Sequence, residues 1–419
     1  MAYIKEDNML QDLKGLVSIE SVSGQPEGEL PFGEGPHLAL EYCLDLCSKL
    51  GFRTGRCENY MGYAEIGEGD KLMGILVHLD VVPAGPGWTV EPFDATIKGD
   101  RIYGRGVIDD KGPAIAAIYA MKELADSGKP LGKRVRIIFG CSEETGEWKD
   151  MEYYKAHEEL PDFGFTPDAD FPLIYAEKGI LDLILRMPKA QSDLVSAEGG
   201  EAPNMVAGKC EAVYLDEDGM EHALMREGKS AHGSMPWLGE NAIGLVMKEM
   251  KGRFAEFYNE TIGQTYDGSL LNCKLSDEQS GDITINPGVI KMDEDWVYLA
   301  LDIRYPISFT EEEVTRRITE RVEPYGVEVH VAGGERSVFL DKDSEFIQGL
   351  LAAYREITND DSEPMVMGGG TYARAMDNIV AFGPVFPGRE CTEHQPDEYI
   401  LIEDLYKARE IYRLAIERA

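Results

Sequence analysis

Short apolar runs bounded by polar turns alternate with stretches of helical spacing along the first 176 residues. The spacing predicts helices over 7–16, 36–50, 114–125 (stopping near Gly128) and 148–157, and strands over 62–66, 72–77, 134–140 and 171–176. Strand alternating with helix implies a largely parallel sheet covered by helices. The pattern changes near Gly179. Strands over 181–187, 211–215, 223–227, 282–292, 296–304 and 327–331, with helices over 241–254 and 311–322, describe a smaller α+β unit of antiparallel strands. Segments 198–201 and 263–279 read as loops. From 343 the first pattern resumes, with helix 344–357, strand 364–367, a triple-glycine turn at 368–370, helix 371–376, strand 379–383 and a last helix 402–417. One α/β catalytic domain, 1–179 and 335–419, is therefore expected to be interrupted by an inserted domain at 180–334.

Composition narrows the function classes. A net charge of -36 with a pI near 4.5 argues against a nucleic-acid partner, which needs a basic surface. Acidic clusters such as Glu311–Glu313 read as solvated faces. No apolar run approaches the roughly 18 residues of a membrane span, and the amino-terminal stretch is polar and amphipathic, so no membrane association and a cytoplasmic location are expected. Seven scattered cysteines without a Cys-x-x-Cys pair point to reduced thiols, with Cys43 and Cys47 as packing residues.

The chemistry concentrates between Gly74 and Pro113. An apolar strand ends in His78-Leu79-Asp80, and the period of two turns His78 and Asp80 to one side. Asp109 and Asp110 stand at the start of a helix, where negative charge is favoured. Glu143 and Glu144 follow another apolar strand, at the strand end where α/β sheets bind ligands. With Asp168 and His394 the set offers nitrogen and oxygen ligands and no thiolate, which suits Zn²⁺, Mn²⁺ or Co²⁺ better than Ca²⁺ or Mg²⁺ and points to hydrolysis by a metal-held water. The triple glycine lacks a following Lys-Ser/Thr and reads as a backbone turn, while Ser142 and Ser234 lack a nucleophile elbow.

His78-Leu79-Asp80-Val81-Val82-Pro83, Gly104 to Gly112, Glu143-Glu144, Pro167-Asp168-Ala169 and Met367 to Arg374 together resemble the dinuclear metallopeptidases of clan MH, in particular bacterial dipeptidases of the peptidase V type, relatives of carnosinases and aminoacylases. The resemblance spans nearly the whole chain. It implies a zinc-peptidase-like catalytic domain with a ferredoxin-like lid, and two divalent metal ions, zinc first, manganese or cobalt next. Asp109 would bridge the ions, with His78 and Asp168 on one and Glu144 and His394 on the other. Asp80 would hydrogen-bond the far nitrogen of His78, and the peptide bond between Asp109 and Asp110 would be cis. Glu143 would be the general base acting on a metal-bridging water. From the lid, His232 in Ser230-Ala231-His232-Gly233 would stabilise the oxyanion, and Arg304 would grip the substrate carboxylate with help from Asn204. Gly370 and Thr371 would complete the substrate contacts.

The expected activity is hydrolysis of short peptides that carry a free carboxyl terminus. An N-acyl-amino-acid amidohydrolase would use the same metal chemistry without reading a free α-amino group. A non-catalytic metal- or peptide-binding protein would need neither Glu143 nor His232. The interval between Asn204 and His232 is shorter than in the peptidase V type, which leaves monomer and homodimer both open.

Overall fold

The computed structural model describes residues 8–419. The chain forms two compact units: the residues up to Tyr175 with Leu340–Met365 and Thr371–Ala419, and Ala176–Phe339 with Val366–Gly370.

The sheet of the first unit has the order Arg53–Cys57, Met61–Gly67, Arg134–Gly140, Leu72–His78, Phe163–Thr166, Ile379–Ala381, Ile174–Glu177. Its four middle strands run parallel, and the pairings outside them are antiparallel. Leu72–His78 is buried along its whole length, as a parallel strand covered on both faces must be. Helix Lys111–Ser127 is buried except at Tyr119, Lys122, Glu123 and its last three residues, and its run of alanines lets it lie close against its neighbours. It ends where Gly128 turns left-handed at φ 66°. Because the middle strands are parallel, the residues just beyond their carboxyl ends (His78, Cys141 to Glu144, Asp168) emerge at one edge of the sheet.

The second unit is a seven-stranded antiparallel sheet ordered Glu221–Glu227, Lys209–Leu215, Leu194–Gly199, Thr284–Met292, Trp296–Tyr305, Gly179–Pro188, Glu328–Glu335. Strict alternation of buried and half-buried residues along Gly179–Pro188 gives one face to the core. There Leu181, Leu183, Leu299, Leu301 and Ile303 pack with residues of helices Ala242–Glu249, Arg253–Thr261 and Glu311–Val322.

Several elements differ from expectation. The helix expected over 241–254 is two, because Met250 turns extended at ψ 150° and Gly252, at φ 107°, leaves the helical region ahead of the second. The helix expected at 371–376 is one 3₁₀ turn, Tyr372–Ala375. The strand expected from 171 starts at Ile174, beyond Pro172, which has no N–H for a ladder. The segment 198–201, expected as a loop, begins as the end of strand Leu194–Gly199. Arg53–Cys57 (RTGRC) was not expected, since a polar edge strand shows no apolar alternation. The helix expected over 7–16 is Asn8–Val17, and Asp7 lies outside the described residues. The peptide between Asp109 and Asp110 is cis, as expected. No described helix is long and apolar enough to cross a membrane, and all seven cysteines are free thiols.

Candidate active site

At the carboxyl edge of the first unit's sheet, His78 Nε2 lies 2.9 Å from Asp109 Oδ1 and 3.7 Å from Asp168 Oδ2. The other oxygen of Asp109 is 2.9 Å from His394 Nε2, which also reaches Glu144 Oε2 at 3.2 Å. Asp109 thus stands between two imidazoles. One possible ligand atom from each of His78, Glu143 and Asp168 falls within 4.8 Å of the others, and the same holds for His78, Asp109 and Glu144. The six residues predicted as metal ligands and base therefore converge on one place.

The charges of this cluster act on one another. His78 is buried, which opposes protonation, yet its hydrogen bond to Asp109 and the nearby carboxylates of Asp168 and Asp80 raise its pKa well above the usual value. His394 is pushed up to about 11 by its bonds to Asp109 and Glu144. Burial raises Asp168, Glu143 and Glu144, and the charge of Asp109 adds to each. Asp109 is lowered: burial works against this, but His394 and His78 hold it ionised. Acids that resist ionisation beside imidazoles that keep their protons are the two signs of one condition, a pocket short of positive charge. Glu144 Oε1 is buried and has no hydrogen-bond partner. The donor set and this orphaned oxygen both fit divalent cations.

Three buried carboxylates hold the cluster's loops in place. Asp80 differs from its expected role: the His78 Nδ1 partner is the main-chain carbonyl of Asp80, at 2.9 Å, while its carboxylate lies 3.6 Å away. The carboxylate accepts instead from the backbone N–H groups of Glu143 and Glu144, both at 3.1 Å, an arrangement that satisfies both of its oxygens. Asp150 continues this grip, accepting from Cys141 N (2.6 Å), Ser142 N (3.0 Å) and the Tyr372 hydroxyl (2.5 Å). Four consecutive amides leading into the glutamate pair are thus fixed by two carboxylates. The third, Glu398, accepts from Arg105 Nη1 (2.6 Å), Gly106 N (2.9 Å) and Ile108 N (3.1 Å), tying the loop before Asp109 to the segment after His394. Sequence reasoning missed Asp150, Tyr372 and Glu398. Asp150 sits inside a predicted helix with no pattern to mark it, and a Glu398 so far along the chain signals nothing until the loops meet.

The predicted substrate groups His232, Arg304, Asn204 and Gly370 belong to the second unit, and Thr371 to the first. His232 is exposed, and its Nδ1 accepts from Ser234 N at 3.1 Å. Burial of part of the ring and the charge of Arg304 lower its pKa. Asn204 and Gly370 are exposed, whereas Thr371 is buried and its Oγ1 accepts from Ala373 N.

The model of peptidase family M20/M25/M40 matches residues 74–418, which contain every residue of the site. The chain belongs to this family. A protein of Staphylococcus haemolyticus whose name marks it as a candidate dipeptidase is 38% identical, over 98% of this chain and 97% of its own. Among solved structures, aminoacylhistidine dipeptidase from Vibrio alginolyticus has a TM-score of 0.68 at 16% identity, covering 100% of this chain and 99% of that one. Human carnosine dipeptidase 1 has a TM-score of 0.60 at 17% identity, covering 99% and 96%. These structures share the fold. The family and the relative at 38% identity make this M20 chain a peptidase.

Proposed function

We propose that this M20 peptidase is a metal-dependent dipeptidase, hydrolysing short peptides with a free C-terminal carboxylate. The observation that carries the reading is the cluster around Asp109, with its excess of buried acid and its orphaned Glu144 oxygen. His78 and Asp168 would hold one divalent ion, Glu144 and His394 the other, and Asp109 both. Zinc is the first choice, manganese or cobalt the next. When bound, such ions polarise a carbonyl and lower the pKa of water.

The chain's own groups divide the remaining work. Glu143 takes a proton from the attacking water on a carboxylate oxygen and delivers it to the leaving amine nitrogen. The Asp80 carboxylate anchors its amide, which limits how far that oxygen can wander. In His232 the Ser234 N–H donates to Nδ1, so a neutral ring carries its proton on Nε2, the form that can donate to an oxyanion. Arg304 takes the substrate's carboxylate with its planar fork, and Asn204, Gly370 and Thr371 complete the substrate set. The enzyme would act in the cytoplasm as monomer or homodimer.

A panel of unblocked dipeptides and their N-acylated analogues tests the reading. The metal-loaded enzyme is expected to cleave free dipeptides faster; failure on every member of the panel would reject the proposal.

A further inference from the structure

In the second unit, strand Trp296–Tyr305 turns Leu299, Leu301 and Ile303 to the core. Tyr298 and Ala300, on the opposite face, are only half-buried, yet further along that face Asp302 and Arg304 are 1% and 5% exposed. Two charged residues buried on the open face of a sheet need a reason, because desolvation penalises each of them.

The geometry supplies one. Asp302 Oδ1 accepts from Arg304 Nε at 2.9 Å and Oδ2 from Nη2 at 2.7 Å, a bidentate bridge along one edge of the guanidinium. Arg304 Nη1 donates to the Gly368 carbonyl at 2.8 Å. A guanidinium has five N–H groups, so these bonds leave two, one on each terminal nitrogen. Two donors on a plane that cannot rotate are what a carboxylate requires for paired hydrogen bonds.

Asp302 also meets the other predicted substrate groups. A Cβ on Gly233 would lie 3.1 Å from Asp302 Oδ1 and 3.0 Å from the Asn204 carbonyl, so the turn after His232 is pressed against both. Gly233 N donates to Asn204 O at 2.7 Å. Across the strands Asp302 faces Asn286, whose Nδ2 donates to Pro203 O (2.8 Å) and Met205 O (2.9 Å), the carbonyls on either side of Asn204.

We propose that Asp302 is a positioning residue for carboxylate recognition: it holds the Arg304 fork at one angle, so that its two remaining N–H groups read a peptide's terminal carboxylate. The inference rests on the dipeptidase reading and on Arg304 as the carboxylate ligand. It implies that Asp302 sets the preference for a free carboxyl terminus without touching substrate.

The test compares kcat/KM for one dipeptide and for its C-terminal amide, in full-length, metal-loaded wild type, Asp302→Asn, Asp302→Glu and Arg304→Gln, with a thermal melt of each. Asp302→Asn sets an amide NH₂ against an arginine N–H, and Asp302→Glu keeps the charge but moves it by one methylene. Each folded Asp302 variant is expected to lose at least about tenfold of the carboxylate-over-amide preference, mainly through KM for the free dipeptide, with kcat nearly unchanged. A preference kept in folded Asp302 variants but lost in Arg304→Gln would overturn the inference and leave the carboxylate reading standing. A preference kept in Arg304→Gln as well would reject that reading and the inference with it. If neither Asp302 variant folds, Asp302 is a structural residue and the proposal fails.

Discussion

The two units bury their charges in opposite ways. Around Asp109, four carboxylates (Asp109, Glu143, Glu144, Asp168) share two imidazoles, and an oxygen of Glu144 is left without a partner. In the second unit Asp302 and Arg304 cancel each other within one bidentate bridge. A buried cluster with more carboxylates than imidazoles and an unpartnered oxygen is a donor set suited to cations. A balanced one is already complete, and what it can contribute is direction. The difference separates residues that should bind a cation from residues that should aim a cation already present.

Breaking the unbalanced cluster should have the largest effect. Asp109→Ala removes the carboxylate shared by both imidazoles; bound metal and dipeptide hydrolysis are both expected to fall to background, checked by metal analysis and assay of one preparation. Glu143→Gln should lower kcat by about a thousandfold while the metal content stays at the wild-type level, because the change takes away a proton acceptor and keeps the shape. Loss of metal along with activity would move Glu143 from base to ligand.

Asp150→Ala comes next. It releases the amides of Cys141 and Ser142 ahead of the glutamate pair, and a loss of about tenfold to a hundredfold in kcat/KM is expected. Tyr372→Phe, which removes one of the donors to Asp150, should lose less.

The smallest effect is in the second unit. Asp182 pairs with Asp302 across the strands, and burial, then the charge of Asp302, lift its pKa to about 6. A carboxyl with a raised folded pKa favours the native state at low pH, and that contribution is lost as pH rises from about 4 to about 6. Asp182→Asn should flatten this fall in stability, by no more than about 1 kcal/mol since the group is partly solvated. Denaturant melts at pH 4 and pH 7 measure it.

How much of this was legible in the sequence depended on what each residue's signal was. Buried parallel strands announce themselves as apolar runs, so the sequence alone puts His78 and Glu143-Glu144 at strand ends, whereas Asp168 follows Phe163–Thr166, a four-residue strand too short to show such a run. Their meeting at Asp109 could be named only through the family resemblance, because nothing in spacing brings residue 394 to residue 109. Asp150 and Glu398 left no trace, since a carboxylate that caps distant backbone amides looks like any surface acid until the fold closes. Alternation puts His78 and Asp80 on one side and the resemblance pairs the Asp80 carboxylate with the imidazole, but the main-chain carbonyl that takes the bond leaves no mark in sequence. Local breaks such as Gly252 were missed because a single glycine inside a helical pattern is usually tolerated.

The central claim, that the cluster around Asp109 is built for metal and that metal drives peptide hydrolysis, has one direct measurement. Divalent metal content and hydrolysis of an unblocked dipeptide are followed in the same wild-type sample as purified, after chelation and after adding back zinc, manganese or cobalt. The account predicts two ions per chain, loss of turnover as they are removed, and recovery on re-addition. Full turnover in a metal-free sample would contradict it.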